Sequence, residues 1–179
     1  MSAEGLVCLI GLPGSGKSTV GRQLSKRLGL NFFDTDHEIE KRLNCSIRAY
    51  FASHGEAKFR ALESEVVEEL TQHLGLVLAT GGGVVLSKKN RTVLSQRGKV
   101  IYLHCKPEDI FKRLRHDQAR PLLQVADPLV RLNDLYLQRD PFYREISHIV
   151  VDTGKPTVSS LVKEIMIKLD ICHMTSRPI

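Results

Sequence analysis

Three features of the sequence predict a layered α/β fold built on a parallel sheet. Strand-like and helix-like segments alternate along the whole chain, with no internal repeat and no low-complexity linker. The first apolar run, Leu6 to Ile10, is short and uninterrupted, as a buried strand is, and it enters a glycine-rich turn that opens a helix. At 179 residues the chain is long enough for one domain with a real core.

Each element has its own signal. After the glycine-rich turn a helix begins at Lys17, with Val20, Leu24 and Leu28 along one side and Gly29 as its C-cap. Leu30 to Phe33 reads as a second strand, ending in Asp34-Thr35-Asp36, and a helix carrying Glu38 and Glu40 follows. A longer helix is expected from about Glu56 to Leu74, with Phe59, Leu62, Val66 and Leu70 facing the core. Leu76 to Thr80 is a third strand running into Gly81-Gly82-Gly83. Val100 to His104 is a fourth and Ile149 to Asp152 a fifth. Val158, Leu161, Ile165 and Leu169 form the stripe of a closing helix. Between the last two strands a helix from about Pro128 is expected to break at Asp140-Pro141, since proline suits the first turn of a new helix. The domain is expected to span residues 1–171, with 172–179 a disordered tail.

Composition excludes several classes. No run approaches the ~20 apolar residues of a membrane span, and the start lacks the basic region of a secretory signal. Cys8, Cys45, Cys105 and Cys172 are far apart and form no C-x-x-C pair, which points to reduced thiols in the cytosol. The formal net charge of +6 comes from basic residues scattered among acidic ones, without a dense tract for nucleic acid. It suits a cleft that holds a polyanion and an acid together. The seven histidines show no metal-binding spacing.

The chemistry begins at Gly11-x-x-x-x-Gly16-Lys17-Ser18, the phosphate-binding loop pattern. Gly11, Gly14 and Gly16 let the backbone approach an anion, and the N–H groups at the helix start favour phosphate charge. Lys17 can reach the β- and γ-phosphates, and the Ser18 hydroxyl can ligand Mg²⁺. Asp34 and Asp36 stand where a strand ends, the edge at which open α/β sheets bind ligands. One carboxylate can hold the hydrated metal and the other can take the proton of an attacking hydroxyl. The alternative is structural, with Asp36 capping a helix that starts at His37 and Asp34 forming the turn. Asp152 also follows an apolar run, but Asp34 is preferred as the metal carboxylate. The triple glycine is either a flexible turn or a close ligand contact. Arg60 either forms a solvated i,i+3 pair with Glu63 or serves a site, and Arg120, in an irregular basic segment, and Arg139, expected at a helix end, are equally open.

Taken together these motifs resemble the shikimate kinase family over about Leu6 to Leu169. The resemblance rests on Gly-Leu-Pro-Gly-Ser-Gly-Lys-Ser-Thr at 11 to 19, Asp-Thr-Asp at 34 to 36 and Phe59-Arg60 with Glu63. It continues through Gly-Gly-Gly at 81 to 83, Arg120-Pro121-Leu122-Leu123 and Arg139-x-Pro141-x-Tyr143. It implies a three-layer nucleoside monophosphate kinase-like fold, with five parallel strands in the order 2-3-1-4-5, flanking helices and a mobile lid at about 114–127. The implied substrate-binding helices span about 36–62. The implied reaction is phosphoryl transfer from ATP to the 3-hydroxyl of shikimate, a step towards chorismate and the aromatic amino acids.

By the same resemblance, Gly14, Ser15, Gly16, Lys17, Ser18 and Thr19 wrap the ATP phosphates. Ser18 ligands Mg²⁺, with Asp34 acting through water. Asp36 binds the attacking hydroxyl as candidate base, and Arg60, Gly82 and Arg139 hold shikimate. Arg120 reaches the transferred phosphate from the lid, and Pro156 lies near the adenine loop. The expected setting is a cytoplasmic monomer with two small-molecule substrates and neither a membrane nor a nucleic-acid partner. Rival readings are another small-molecule kinase of this fold, for gluconate or a nucleoside monophosphate, and a regulatory or nucleic-acid-binding ATP module.

Overall fold

The computed structural model describes residues 5–115, 125–154 and 157–175, the last five of these in backbone only. Its centre is β1, Leu6–Ile10, flanked by β3, Leu76–Ala79, and β4, Lys99–His104. Outside these lie β2, Asn31–Asp34, and β5, Ile149–Asp152, so the parallel sheet runs β2-β3-β1-β4-β5, the order expected. Every residue of β1 and β3 is buried, because helices cover both faces of the sheet. Successive side chains of β1 therefore enter two separate cores. Leu6, Cys8 and Ile10 face one core with Phe59, Val66, Leu94, Leu132 and Tyr143. Val7 and Leu9 face the other with Val20, Leu24, Leu161, Ile165 and Leu169.

The helices follow from these two cores. α1, Lys17–Leu28, and α7, Val158–Thr175, cover one face. α1 ends on Gly29 in the left-handed conformation, as its sequence requires. On the other face lie α3, Ile47–Leu70, α4, Lys88–Arg97, and α6, Pro128–Ile146, after the short α2, Thr35–Leu43. A smaller helix, α5, Pro107–Leu114, follows β4. No helix among the described residues is long and apolar enough to cross a membrane.

Four expectations need correction. The helix expected from about Glu56 does begin there, after Gly55, whose φ of 81° and ψ of 170° separate it from a helical stretch that starts at Ile47, but it ends at Leu70 rather than Leu74. α6 is continuous through Pro141. A proline there leaves the Leu137 carbonyl without its helical partner. Leu137 is 72% exposed, so water can take that place. Arg139 consequently stands inside a helix and is buried there, not at a helix end. Finally, α7 continues to Thr175, beyond the 171 boundary expected for the domain. Most of the expected lid, residues 116–124 with Arg120, lies outside the described residues, as do Pro156 and residues 176–179.

Candidate active site

The phosphate loop joins β1 to α1 at the carboxyl edge of the sheet. Gly14 and Gly16 have φ values of 82° and 93°, which side chains rarely adopt, and Gly16 is the N-cap of α1. Lys17 is buried and donates to the Gly11 and Leu12 carbonyls, both at 2.8 Å, so its ammonium lies over the loop it belongs to. Two clefts meet at this loop. One, about 250 Å³, is lined by Pro13, Lys17, Ser18, Asp34, Asp36, Thr80 and Gly82. The other, about 290 Å³, is lined by Ser15, Thr19, Val20, Arg113, Thr153, Val158 and Leu161. Gly14, Gly16 and Thr19 border both. A phosphate chain lying over the loop would therefore have its nucleoside end in one cleft and its reactive end in the other.

The two aspartates divide their work differently from the capping alternative. α2 starts at Thr35, and Asp34 is its N-cap, with Oδ1 accepting from the Asp36 and His37 N–H groups at 3.0 and 3.3 Å. Asp34 Oδ2 accepts from the Ser18 hydroxyl at 2.5 Å. Asp36, freed from capping, is half-buried and lines the reactive cleft. Burial first, then the charges of Asp34 and Glu63, push its pKa up from 3.8 to about 6, while Lys17 pulls it down. A carboxylate in that range still ionises at neutral pH and can accept a proton there. Asp152, the rejected metal candidate, has a side chain 65% exposed beside His104 on the edge strand.

Gly81-Gly82-Gly83 is a contact surface on three sides. The Gly81 N–H donates to Thr35 Oγ1 at 2.8 Å, and a Cβ at Gly81 would stand 2.6 Å from Asp36 Oδ1. At Gly82 it would stand 2.6 Å from the Pro13 ring, and at Gly83 it would enter the Arg60 guanidinium. Glycine is needed here because three neighbours close in on a single turn.

Arg60 and Arg139 converge on this turn. Arg60 pairs with Glu63 at 2.8 Å, and the Glu63 side chain is only 2% exposed, so this is no solvated surface pair. Burial raises the Glu63 pKa against the pull of Arg60 and Arg139. Burial lowers that of Arg139, and the positive charge of Arg60 adds to the effect. Arg60 Nε and Arg139 Nε are both buried without a hydrogen-bond partner. Half-buried Arg60 pairs with Glu63 and also faces Glu56, its Nε 3.5 Å from Oε1, while buried Arg139 acts on Glu63 through its charge. Both Nε atoms remain without a hydrogen-bond acceptor, and a planar acid suits the fork geometry of guanidinium.

Of the described candidates, Gly14, Gly16, Lys17, Ser18, Thr19, Asp34, Asp36 and Gly82 line the reactive cleft, Ser15 lines the other, and Arg60 stands against Gly83. Two others were passed over. Arg113 lines the nucleoside-side cleft and donates to the Thr153 carbonyl at 2.8 Å, though in sequence it is one more cation in the last turn of a helix. Tyr143 was quoted in a motif without a role, and its hydroxyl donates to the Gly82 carbonyl at 2.5 Å. Among the described residues no cluster of three or more His, Cys, Asp or Glu could hold a metal by itself.

Comparison with known proteins identifies the family. The family model described as shikimate kinase matches residues 13–170. The shikimate kinase of Paracidovorax citrulli is 56% identical over 167 residues, covering 91% of each chain. The solved structure of the shikimate kinase from Acinetobacter baumannii in complex with shikimate superposes with a TM-score of 0.88 at 42% identity, covering 93% of each chain. A gluconokinase from Sinorhizobium meliloti shares the fold at a TM-score of 0.64, with 16% identity and coverage of 99% of this chain and 100% of its own. That second likeness concerns the fold alone. With a phosphate loop and two carboxylates in one cleft, and with a family model and relatives that match at these identities over nearly its full length, the chain belongs to the shikimate kinase family.

Proposed function

We propose that the chain transfers the γ-phosphoryl group of ATP to the 3-hydroxyl of shikimate, giving shikimate 3-phosphate and ADP. One observation carries this reading. The Arg60 and Arg139 guanidinium groups, each with an Nε that lacks an acceptor, belong to a cage whose Arg60 stands at the same glycine turn as Asp36, and Gly82 of that turn lines the cleft of the phosphate loop. A substrate held by its carboxylate in the cage presents a hydroxyl to Asp36 and, beyond it, to a phosphoryl group on the loop. Membership of the shikimate kinase family supports the same acid.

Each group then has a task. Gly14, Ser15, Gly16, Lys17, Ser18 and Thr19 hold the phosphates, largely through backbone N–H groups and the Lys17 charge. Asp36 orients the acceptor hydroxyl and takes its proton as the bond to phosphorus forms. Arg60, Arg139 and Gly82 fix the acid, so that a loose transition state is reached by positioning and charge. The family resemblance assigns Arg120 to the transferred group and Pro156 to the adenine, both outside the described residues. Ser18 Oγ and Asp34 Oδ2, an all-oxygen pair at the loop, suit a hard cation such as Mg²⁺, with Asp34 reaching it through water. Bound there, Mg²⁺ would neutralise phosphate charge. The enzyme acts as a cytoplasmic monomer on two small molecules, without a nucleic-acid or membrane partner.

The test is ADP release from Mg²⁺-ATP with and without shikimate, beside gluconate and nucleoside monophosphates as competing acceptors. Strong stimulation by shikimate alone is expected. A rate indifferent to shikimate overturns the proposal.

A further inference from the structure

The contact between the sheet and α6 is not wholly apolar. Tyr102 on β4 is buried, and its ring packs against Tyr143 of α6 with centroids 5.0 Å apart. Its hydroxyl donates to Asp140 Oδ1 at 2.7 Å. Burial, then this bond to Asp140, pushes the phenol pKa up and keeps the donated proton in place. The second oxygen, Asp140 Oδ2, accepts from Arg144 Nε at 2.8 Å. Two residues further along β4 and one turn back along α6, His104 Nε2 lies 3.1 Å from the Tyr136 hydroxyl. Alternate residues of a strand share a face, as do every fourth residues of a helix, so these are two polar rungs between one strand and one helix. Apolar packing is non-directional and leaves a helix some freedom to turn about its axis. A polar rung removes that freedom, because any other setting leaves its groups unpaired.

The Tyr102 rung stands where α6 is weakest. Pro141 deprives the Leu137 carbonyl of its helical partner. Asp140 precedes that proline and Arg144 follows it, so one carboxylate ties both sides of the gap to each other and to β4. Arg139 belongs to this turn, is buried in it, and is next in sequence to Asp140. We propose that Tyr102 and Asp140 are positioning residues for the acid substrate: their hydrogen bond fixes how α6 is turned on β4, and with it where the Arg139 guanidinium stands. The proposal rests on the reading of Arg139 as a group that holds shikimate. Neither Tyr102 nor Asp140 lines either cleft at the phosphate loop, so their effect is carried by the helix backbone.

The experiment is a double-mutant cycle on the full chain with Tyr102→Phe and Arg139→Ala. Tyr102→Phe keeps the ring and removes only the hydroxyl. Alone, it should raise KM for shikimate about tenfold, less than the ~10²-fold that a misplacement of ~1 Å can cost. KM for ATP should stay close to that of the parent. A merely structural loss of folded enzyme would lower the apparent kcat and leave both KM values where they were. In the Arg139→Ala background the same substitution should have almost no further effect on KM for shikimate. Asp140→Ala should raise the same KM, with KM for ATP again unchanged. An equal rise in both Arg139 backgrounds, or an unchanged KM for shikimate in Tyr102→Phe or Asp140→Ala, overturns the proposal.

Measurements without substrate test the rung itself. In the parent, NMR should show a Tyr102 hydroxyl proton that exchanges slowly with solvent. Exchange at the rate of an exposed phenol overturns the proposal, whether or not the variants fold. In Tyr102→Phe, amide hydrogen exchange should quicken at residues 142–146, just beyond Pro141, and stay at the parent rate along α1. Parent-like exchange at 142–146 overturns the proposal whatever the substrate is. Failure of shikimate to stimulate the parent enzyme, with the slow hydroxyl and the quickened amides both present, counts against the functional reading alone.

Discussion

The donor side and the acceptor side of the cleft are built by opposite means. The donor side is a continuous stretch, Gly11 to Thr19, whose backbone and one lysine do the work. The acceptor side is assembled from α2, α3, α6 and the triple-glycine turn, from groups that run from Asp36 to Arg139 in the sequence. A local loop is held by its own covalent geometry, whereas the distant arginines need packing and buried ion pairs to stay in place. The donor half can serve any kinase, and the acceptor half chooses the acid.

Substitutions on the two sides should therefore separate cleanly. Lys17→Met is expected to have the largest effect, a fall in turnover of roughly 10³–10⁵-fold, the scale of a lost cation at the transferred phosphoryl group. Turnover within tenfold of the parent would remove Lys17 from the chemistry. Asp36→Asn should lose about 10²–10⁴-fold in turnover while ATP binding, measured by titration, is unchanged. A normal rate in that variant would mean that Asp36 is not the base.

The same variant carries a stability test. Because Asp36 has its pKa raised from 3.8 to about 6, the folded state retains this proton more strongly than the unfolded state. Its charge therefore weakens the fold above about pH 6, and the penalty fades as the pH falls through 6 towards 4. Asp36→Asn should raise Tm by a few degrees at pH 7.5 and by less at pH 4.5. A lower Tm at both values would contradict the buried placement.

Arg139→Ala should cost about 2–4 kcal/mol in kcat/KM for shikimate, the penalty of leaving a buried carboxylate short of its partner, with KM for ATP unchanged. Equal losses for both substrates would erase the division between the two halves. Smaller still, Gly83→Ala puts a methyl group into the Arg60 guanidinium, the far end of a flexible side chain. Shikimate affinity should fall by roughly tenfold at unchanged ATP affinity, within the 1–3 kcal/mol range of overpacking. The smallest effect is in pH: the rate should drop by about half as pH falls to about 6, where half of Asp36 is protonated. A flat profile from pH 8 to 5 would assign the proton to another group.

The contrast between the halves also decides what could be read without coordinates. β1, the loop and α1 are legible because residues that act together are adjacent, and glycine, lysine and serine each have one physical reason to stand there. The strand order was implied by resemblance, since periodicity carries no information about which strands pair. Asp34 and Asp36 are legible as a pair, but the structural alternative set the cap on Asp36, whereas Asp34 caps α2, because a cap depends on the residue at which the chain leaves the strand. Pro141 was read as a break because its lost hydrogen bond is local and obvious. The solvent at Leu137 that makes the loss tolerable is visible only in three dimensions. Glu63 looked like half of a surface pair until helix packing buried it. Tyr143 had a motif but no partner, since Gly82 lies 61 residues earlier.

The double use of Asp34 has a consequence for sequence drift. Serine, threonine, asparagine and aspartate cap helices about equally well, so a cap position ordinarily tolerates exchange among them. Here one oxygen caps α2 while the other receives the Ser18 hydroxyl at the start of α1. Serine and threonine have one side-chain oxygen, and the second arm of asparagine is a donor. Each could start the helix, but none could also accept from Ser18, so a site that looks permissive in the language of helix caps has a single admissible residue.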